Sequence, residues 1–540
     1  MSIERGQGIR GTPQGARRKG QGTAEKWQFF ALLALFVYMP LPLASNRTWA
    51  LALLALMVSF LAIWHLWATP SMRPRESSPV SLARVPLWLM AGWLLVLVAQ
   101  VLPLPHAWHS LLDRNPADGF PVLSGAAAPL SVDPYSSQIY GVRAWVLAVL
   151  FWLVLRLVDS RQRVEWLVKT LIFSGVLQAL LAVVLFAVGA HYSLFFVEIE
   201  HGMRAKGTFV YHNHFAGYLE MILAIGIGLM IGKLDGRRVE GWRKRAHGWL
   251  SLLVSGKAIL RLMLIVMVIG LIASRSRMGN SAFFVSLLLV GGLALMSFRH
   301  IGGRSNVIRA LMLFIASVVV LDVVIVGGVV GIEKVMHRIE ATNLHVLEKE
   351  EAEQLRTRVS GDVVEGRSRI GYREESLEER VGPGLRALKM VQDFPVLGTG
   401  GGTFHLAYFP YRPQDVGGFY DHAHDDFIEF VVEVGALGAL LLVLMVAHSV
   451  YRSIRLLLDR NQDQFVQGMA FASLMAVVEL LMHSSVDFNL QNLTNAALFL
   501  VVLSLPYLVA GMDVKSLSRN RQSNPHGVGG GVGIKVQSDA

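Results

Sequence analysis

Long apolar runs recur along the whole chain, and they restrict its fold more than any other feature. The first candidate is WQFFALLALFVYMPLPL at Trp27–Leu43, and the last is AALFLVVLSLPYLVAGM at Ala496–Met512. Runs of about 17 to 25 residues are long enough to cross about 30 Å of hydrocarbon as α-helices. Because a segment in lipid must satisfy its own backbone hydrogen bonds, helices are expected. The sequence therefore predicts an all-α polytopic membrane protein with about twelve transmembrane helices.

The composition narrows the chemistry further. Hydrophobic residues make up 53% of the chain and charged residues 16%, and there is no cysteine. Disulfides, thiolate metal sites and a cysteine nucleophile are therefore excluded. The net charge of +11 would also suit a nucleic-acid-binding protein, but basic residues that hold loops in the cytoplasm explain it better. We do not expect nucleic acid as a partner.

The apolar runs and the charges together predict five parts. They are a disordered cytoplasmic tail (1–26), transmembrane helices one to nine (27–332), a large outer loop (333–426), helices ten to twelve (427–512) and a second cytoplasmic tail (513–540). Every second short loop is rich in Arg or Lys, which places those loops and both termini in the cytoplasm.

Four basic residues on the outer side break this rule. Arg204 and Lys206 precede the sixth predicted helix, and Arg275 and Arg277 lie in the short turn SRSRMG. One interpretation is that they extend towards the interface, as long basic side chains near helix ends do. The other is anion binding, because guanidinium groups present paired donors that match phosphate oxygens.

The motif DHAHDDF at Asp421–Phe427 places two histidines directly before the tenth predicted helix. His422 and His424 with the adjoining carboxylates allow a metal site, but three ligands within five residues of one chain make poor geometry without a remote fourth. A hydrogen-bonding structural role is a second interpretation. Acid–base chemistry by an imidazole is the favoured one.

Two more polar clusters fall on the same predicted face. GTFVYHNHFAGYLEM opens the sixth helix, and HSSVDFNLQN closes the eleventh. We expect a shared substrate cleft at this face, with these residues: His212, Asn213, His214, His483 and Asp487. The glycine-rich segment GTGGGTF at 398–404 has amides that can line an anion site, but it lacks the lysine of a nucleotide-binding loop. We expect no nucleotide cofactor.

Four segments in this order resemble the O-antigen ligase/Wzy polymerase family over roughly Phe195–Ala497. They are RAKGTFVYHNHFAGYLEM, SRSRMG, FPVLGTGGGTF and HAHDDFIEFVVEVGALG. Two positions depart from the family pattern. Asp425 stands where an asparagine usually follows the second histidine, and the Asn-Pro-Asn-like segment reads His212, Asn213, His214.

The resemblance implies a GT-C-like glycosyltransferase of the bacterial inner membrane. It implies metal-independent transfer of a glycan from undecaprenyl diphosphate to an acceptor hydroxyl at the periplasmic face, without a cofactor. His424 is then the first candidate for the general base and His422 the second. The residues implied to contact the diphosphate are Arg204, Arg275, Arg277 and Arg380.

Several functions stay open at this point. We prefer a polymerase of exopolysaccharide or O-antigen repeat units, with a lipid-linked glycan, an acceptor glycan and polysaccharide-export proteins as partners. A ligase that uses lipid A core, or an enzyme that glycosylates protein, shares the same chemistry. A solute transporter is a different class, with Glu220, Asp322 and Glu479 as coupling sites. A scaffold of an export complex without its own chemistry is the last.

Overall fold

The computed structural model describes residues 13–69, 76–105, 127–189, 204–233, 256–299, 377–412 and 421–523, and these residues are mainly helical. The first seven helices are α1 (Pro13–Tyr38), α2 (Thr48–Ala68), α3 (Pro79–Leu82), α4 (Arg84–Val101), α5 (Pro134–Leu157), α6 (Arg161–Ala187) and α7 (His212–Gly232). The others are α8 (Gly256–Ala273), α9 (Arg277–Arg299), α10 (Leu377–Asp393), α11 (Phe404–Ala407), α12 (Asp426–Leu458), α13 (Gln464–Ser484) and α14 (Leu493–Ser523). Strands β1 (Leu104–Pro105) and β2 (Ala127–Ala128) form a short antiparallel pair.

Within the described ranges, nine helices are long and apolar enough to cross a membrane. They are α2, α4, α5, α6, α7, α9, α12, α13 and α14, and α8 contributes a shorter apolar helix over Ala258–Ala273. The all-α polytopic fold is thus confirmed. The ninth predicted span and most of the predicted loop 333–426 lie outside the described residues, so the number twelve stays a prediction.

The helices at the two ends of the chain extend beyond the apolar runs that predict them. α1 begins at Pro13, within the predicted tail 1–26, and α14 continues to Ser523, past the predicted boundary at 512. An apolar run marks only the part of a helix that faces lipid or the core. Alanine, glutamine, lysine and arginine favour helix without being apolar, so a helix can continue where hydropathy stops.

Three helices form the centre of the bundle. In the apolar windows of α7 and α14, 94% of residues are buried, and in α13 83%, against 33–44% in the other six spans. α7 and α13 approach each other closely where Gly228 faces Gly468, because a Cβ on either would collide with the carbonyl oxygen of the other. Such small-residue contacts are typical of helix packing in membranes.

α12 is broken at Gly435, which has φ +65° and ψ −179°. The segment 395–402 lies along the break, with Ala436 N donating to Pro395 O (2.8 Å) and Thr399 N donating to Val432 O (2.8 Å). A non-helical turn at membrane depth is tolerated where protein satisfies its backbone groups. The break therefore accommodates this segment beside the first turns of α12.

Gln100, fully buried on α4, holds the segment in place. Its Nε2 donates to Leu397 O (2.6 Å) and to Glu433 O (2.8 Å), and its Oε1 accepts from Gly401 N (3.0 Å). One side chain thus connects three stretches of backbone. The arrangement joins α4, the segment 395–402 and α12 beside the break at Gly435.

Candidate active site

Three histidines from distant parts of the sequence surround Phe488. They meet at the end of the bundle where α7 and α12 begin and α13 ends, which we call the histidine end. Phe488 stacks on His422, with ring centroids 4.2 Å apart, and makes edge contacts with His214 at 4.9 Å and His424 at 5.1 Å. Tyr211 stacks on it at 5.6 Å. The structure therefore unites the three polar clusters that the sequence placed on one face.

His422 is paired with Glu429 in the first turn of α12. The distance from His422 Nδ1 to Glu429 Oε1 is 2.7 Å, and Glu429 Oε2 accepts from Ala423 N at 2.8 Å. Glu429 is 1% exposed and the His422 side chain 31%. A carboxylate that accepts from Nδ1–H fixes the tautomer and leaves Nε2 as the basic nitrogen.

The environment of His422 also sets its charge. Burial alone would lower the pKa of the imidazole, but the Glu429 carboxylate acts in the opposite direction, and the net pKa lies above its ordinary value. The cause is the negative charge and the hydrogen bond that favour the imidazolium. His422 is therefore protonated over a wider pH range than a free histidine.

His424 has φ +54°, a left-handed conformation that is unusual for a residue with a side chain. Strained backbone of this kind is found preferentially at functional sites. The next residue, Asp425, caps α12 by accepting from Phe427 N (2.9 Å) and Ile428 N (3.1 Å). Asparagine and aspartate are equally good helix caps, so the departure from the family asparagine at Asp425 keeps its local structural role.

The arginine segments adjoin one another at the same end. Arg204 Nη1 lies 2.6 Å from His212 Nε2, so Arg204 contacts the start of α7. Ala205 N donates to Ala273 O at 3.0 Å. This bond joins the segment that carries Arg204 to the residue before the SRSRMG turn. The backbone thus places Arg204 and Arg275 on neighbouring segments.

Arg275 has φ +54°, and its guanidinium lies 5.7 Å from the ring centroid of Phe186. Arg277 is the first residue of α9. Arg380 belongs to α10, but its side chain lies outside the described residues. The structure therefore brings three of the four predicted diphosphate ligands to one region of backbone.

Asn213 and Asp487 connect α7 to the segment after α13. Asn213 Nδ2 donates to Asp487 Oδ2 and to Tyr211 Oη (2.9 Å). Asp487 Oδ1 accepts from Phe488 N at 2.8 Å, and its carbonyl oxygen accepts from Asp426 N at 3.2 Å. These bonds hold Phe488 between the histidines.

His483 lies in the last turn of α13 and is completely buried. Its Nδ1 is 3.0 Å from Glu220 Oε1, and both side chains are completely buried. One helical turn away, Glu479 Oε1 accepts from Ser286 Oγ at 3.0 Å. His483 therefore connects α13 to α7 beneath the histidine end and does not line an open surface.

The amides of the glycine-rich segment GTGGGTF bond to the protein itself, which corrects the expectation that they line an anion site. Gly400 N donates to Glu433 O (3.0 Å), Gly401 N to Gln100 Oε1 (3.0 Å) and Phe404 N to Glu433 Oε1 (3.1 Å). These amides donate to the carboxylate of Glu433 and to other protein oxygens, so they are not available to a bound anion. The segment is a structural element of the site.

Two features of the site were missed from the sequence. Phe488 and Tyr211 are aromatic residues within the polar motifs, and an aromatic residue beside a membrane interface is common enough to attract no attention. Glu429 and Glu433, at the start of the tenth predicted helix, are candidates from the sequence for orienting a histidine or for pairing with the helix dipole, and Glu429 contacts His422. Among the described residues, no three His, Asp or Glu side chains are grouped so as to hold a metal ion.

The comparison with known families adds to this geometry. Residues 262–443, about a third of the chain, match the model of the O-antigen ligase family. The matched range includes the SRSRMG turn, the glycine-rich segment, His422, His424 and the first half of α12. A search of curated proteins found no match. The match confirms the resemblance to this family and covers three of the four motifs; RAKGTFVYHNHFAGYLEM lies before the matched range.

Proposed function

We propose that this multi-pass membrane protein, which matches the O-antigen ligase family over residues 262–443, transfers a glycan from undecaprenyl diphosphate to an acceptor hydroxyl. We place the reaction at the periplasmic face of a bacterial inner membrane. The observation that carries the proposal is the convergence of His214, His422 and His424 on Phe488, beside the arginine segments.

In the proposed reaction, His424 takes the proton of the acceptor hydroxyl as its oxygen attacks the anomeric carbon. The bond from that carbon to the phosphate oxygen breaks, and the electron pair leaves on undecaprenyl diphosphate. Arg204, Arg275 and Arg277 would contact the diphosphate and stabilise its developing charge. This chemistry requires neither a nucleotide nor a metal.

The two histidines have different proposed roles. The raised pKa of His422 keeps its imidazolium form to higher pH than in a free histidine, which suits a cationic role. His424 is therefore our first choice for the base. His422, held by Glu429 at 2.7 Å, would add positive charge beside the leaving group. A reversed assignment makes the opposite prediction for the pH dependence of transfer.

The distribution of basic residues supports the proposed periplasmic placement of the site. At the opposite end of the bundle from the histidines, α5 ends, α6 begins and α12 ends, with these arginines: Arg156, Arg161, Arg163, Arg452, Arg455 and Arg460. Basic residues of this kind are retained in the cytoplasm. We propose that both termini are cytoplasmic and that the histidine end is periplasmic.

Within the family, we propose a polymerase of exopolysaccharide or O-antigen units over a ligase that uses lipid A core. The transporter interpretation is weaker, because its candidate coupling residues Glu220 and Glu479 contact His483 and Ser286 inside the bundle. Asp322 lies outside the described residues.

The test is reconstitution of the full chain in liposomes with undecaprenyl-diphosphate-linked repeat units, without nucleotide or added metal. A polymerase produces a ladder of lengthened lipid-linked chains, which protein-free liposomes do not. A parallel reaction offers lipid A core as the acceptor. Transfer to lipid A core without any ladder would establish a ligase, and no transfer to either acceptor would contradict the proposed function.

A further inference from the structure

Glu220 lies between the two halves of the candidate site, the histidines and the arginine segments. It is a completely buried residue of α7, and its Oε1 lies 3.0 Å from His483 Nδ1 in the last turn of α13. A Cβ added at Gly279, in the first turn of α9, would lie 2.5 Å from the same oxygen. The Glu220 carboxylate therefore lies against both α13 and the start of α9.

On the histidine side, one face of α7 holds the chain that follows α13. Asn213 donates to Asp487. Gly217 leaves room for the side chain of Asn489, whose Oδ1 would overlap a Cβ at that position. Together with Glu220, these two α7 positions are spaced i, i+4 and i+7, which places all three on one face of the helix. α7 thus contacts, at three successive turns, the segment that carries the phenylalanine between the histidines.

On the arginine side, the start of α9 belongs to the SRSRMG turn. Ser276 caps the helix by accepting from Gly279 N at 3.2 Å, and Arg277 is the first helical residue. The N-terminus of a helix carries a partial positive charge that attracts a nearby carboxylate. The negative charge of Glu220 therefore favours one position of the first turn of α9, and with it one position of Arg277.

We propose that Glu220 and His483 are a positioning pair for the lipid-linked donor. By holding α9 against α7 and α13, the pair sets where Arg277 meets the diphosphate relative to the histidines. Both side chains of the pair are completely buried, so they act through the arginine and not on the substrate directly. The inference rests on the proposed function and deepens it, because it assigns two buried residues a role in donor binding.

The first test removes the charge of Glu220 and keeps its size. Glu220→Gln weakens the hydrogen bond from His483 and the attraction to the positive end of α9. We expect KM for the lipid-linked donor to rise about 10-fold, as for the partial loss of one hydrogen bond to a charged group, with KM for the acceptor glycan unchanged. Loss of folded protein alone would lower the amount of active enzyme and leave both KM values as they are.

Glu479→Gln is the matched control. Glu479 is also a completely buried carboxylate, one turn before His483 on α13, and its Oε1 accepts from Ser286 Oγ at 3.0 Å, beyond the first turns of α9. This variant should lose stability but keep the donor KM of the wild type. A rise in donor KM as large as that of Glu220→Gln would overturn the proposal, because it would reduce the pair to general packing.

His483 offers a conservative variant that keeps the hydrogen bond. In His483→Asn, the amide nitrogen is attached to Cγ as Nδ1 is, so it can donate to Glu220 in the same place. His483→Leu removes the donor. We expect the donor KM of the asparagine variant to lie close to that of the wild type, and that of the leucine variant to rise as in Glu220→Gln. The same donor KM in both variants would contradict the pairing.

A double variant tests whether the pair acts through Arg277. In Arg277→Ala there is no guanidinium to position, so adding Glu220→Gln should change the donor KM by less than about twofold. If the two substitutions instead multiply each other's effect on the donor KM, Glu220 acts by another route and the proposal is wrong.

Binding of undecaprenyl diphosphate to the full chain in nanodiscs separates this inference from the proposed function. Binding by the wild type that is about 10-fold weaker in Glu220→Gln supports the pair even where no transfer is detected. Equal binding by the two proteins overturns the inference alone. A wild type that neither binds undecaprenyl diphosphate nor transfers glycan overturns the proposed function together with it.

Discussion

Glu429 Oε1 lies 2.7 Å from His422 Nδ1, and the same carboxylate accepts the amide hydrogen of Ala423. A buried carboxylate in the first turn of α12 thereby fixes the ring that stacks on Phe488. The pair sets both the orientation and the charge of one histidine, and it gives the account its most direct predictions.

Removing the negative charge of Glu429 should change the pH dependence of transfer. In the wild type, the Glu429 carboxylate holds the pKa of His422 above its ordinary value. Glu429→Gln keeps the shape of the side chain but removes this charge, so the pKa of His422 should fall. If His422 acts as the cation, activity is present below its pKa and is lost as pH rises through it. The alkaline limb of the pH profile should therefore move to lower pH in Glu429→Gln.

The opposite assignment gives a different curve. If His422 is the base, activity requires its neutral form and appears as pH rises through the pKa. Glu429→Gln would then move the acid limb to lower pH and leave the alkaline limb in place. Rates measured from about pH 5 to 9, a range that brackets an ordinary histidine, separate the two roles.

The arginines should act on the donor. Arg204→Ala and Arg275→Ala each remove hydrogen bonds to a charged group, worth about 1.5–3 kcal/mol or roughly 10- to 100-fold in affinity. We expect a rise in KM for the lipid-linked donor. Lysine at either position keeps the charge without the paired donors and should recover only part of the loss. Arg261→Ala, an exposed arginine on α8, is the matched control and should change nothing.

Phe488 should be required for the geometry of the site. Phe488→Ala removes a ring that contacts three histidines, and large-to-small changes of this kind cost about 3–5 kcal/mol in a packed interior. Phe488→Leu retains much of the volume but not the flat stacking surface. We expect both variants to lose glycan transfer. The temperature of thermal unfolding should fall mainly in the alanine variant. Full activity of Phe488→Leu would show that only volume matters.

His483 and Glu220 should be coupled in stability. Breaking a buried ion pair by removing one partner costs about 3–5 kcal/mol, whereas replacing both by apolar residues is often nearly neutral. Thus Glu220→Leu or His483→Leu alone should destabilise the bundle, and the double variant should recover much of the loss. The free energies of unfolding of the wild type, the two single variants and the double variant give the coupling energy between the two side chains. Additive losses would contradict a direct interaction between the two side chains.

The break in α12 should depend on Gly435. A Cβ there would collide with the carbonyl of Val396, and φ +65° is unfavourable for alanine. Gly435→Ala should therefore displace the segment 395–402 and reduce both stability and transfer. Gly141→Ala is the control, because nothing lies within 4 Å of the Cβ it would add. Equal behaviour of the two variants would show that the break is not needed.

The sequence predicted the parts of this molecule that depend on periodicity and polarity. Apolar runs located the spans, and the clusters around His212, His422 and Asp487 met as expected, because each lies where a span begins or ends. The break at Gly435 was not predicted, because the glycine follows an apolar stretch whose sequence is indistinguishable from that of a continuous helix. Its break depends on Gln100 and the segment 395–402, which are remote in sequence.

The choice between Glu429 and Glu433 as the partner of a histidine is not a local property either. Glu429 is seven residues from His422, yet two carboxylates follow DHAHDDF in α12, and only the fold decides that Glu429 reaches His422 while Glu433 binds the glycine-rich segment. Tertiary contacts decide such features and local patterns do not.

The central claim is that the histidine end transfers glycan by a base on His424. The direct measurement is a single-turnover reaction of purified, reconstituted protein with undecaprenyl-diphosphate-linked glycan, comparing wild type, His424→Ala and His422→Ala after equal membrane insertion is confirmed. The account predicts near-complete loss of glycan transfer in His424→Ala, with His422→Ala slowed but active. Undiminished transfer in His424→Ala would contradict it.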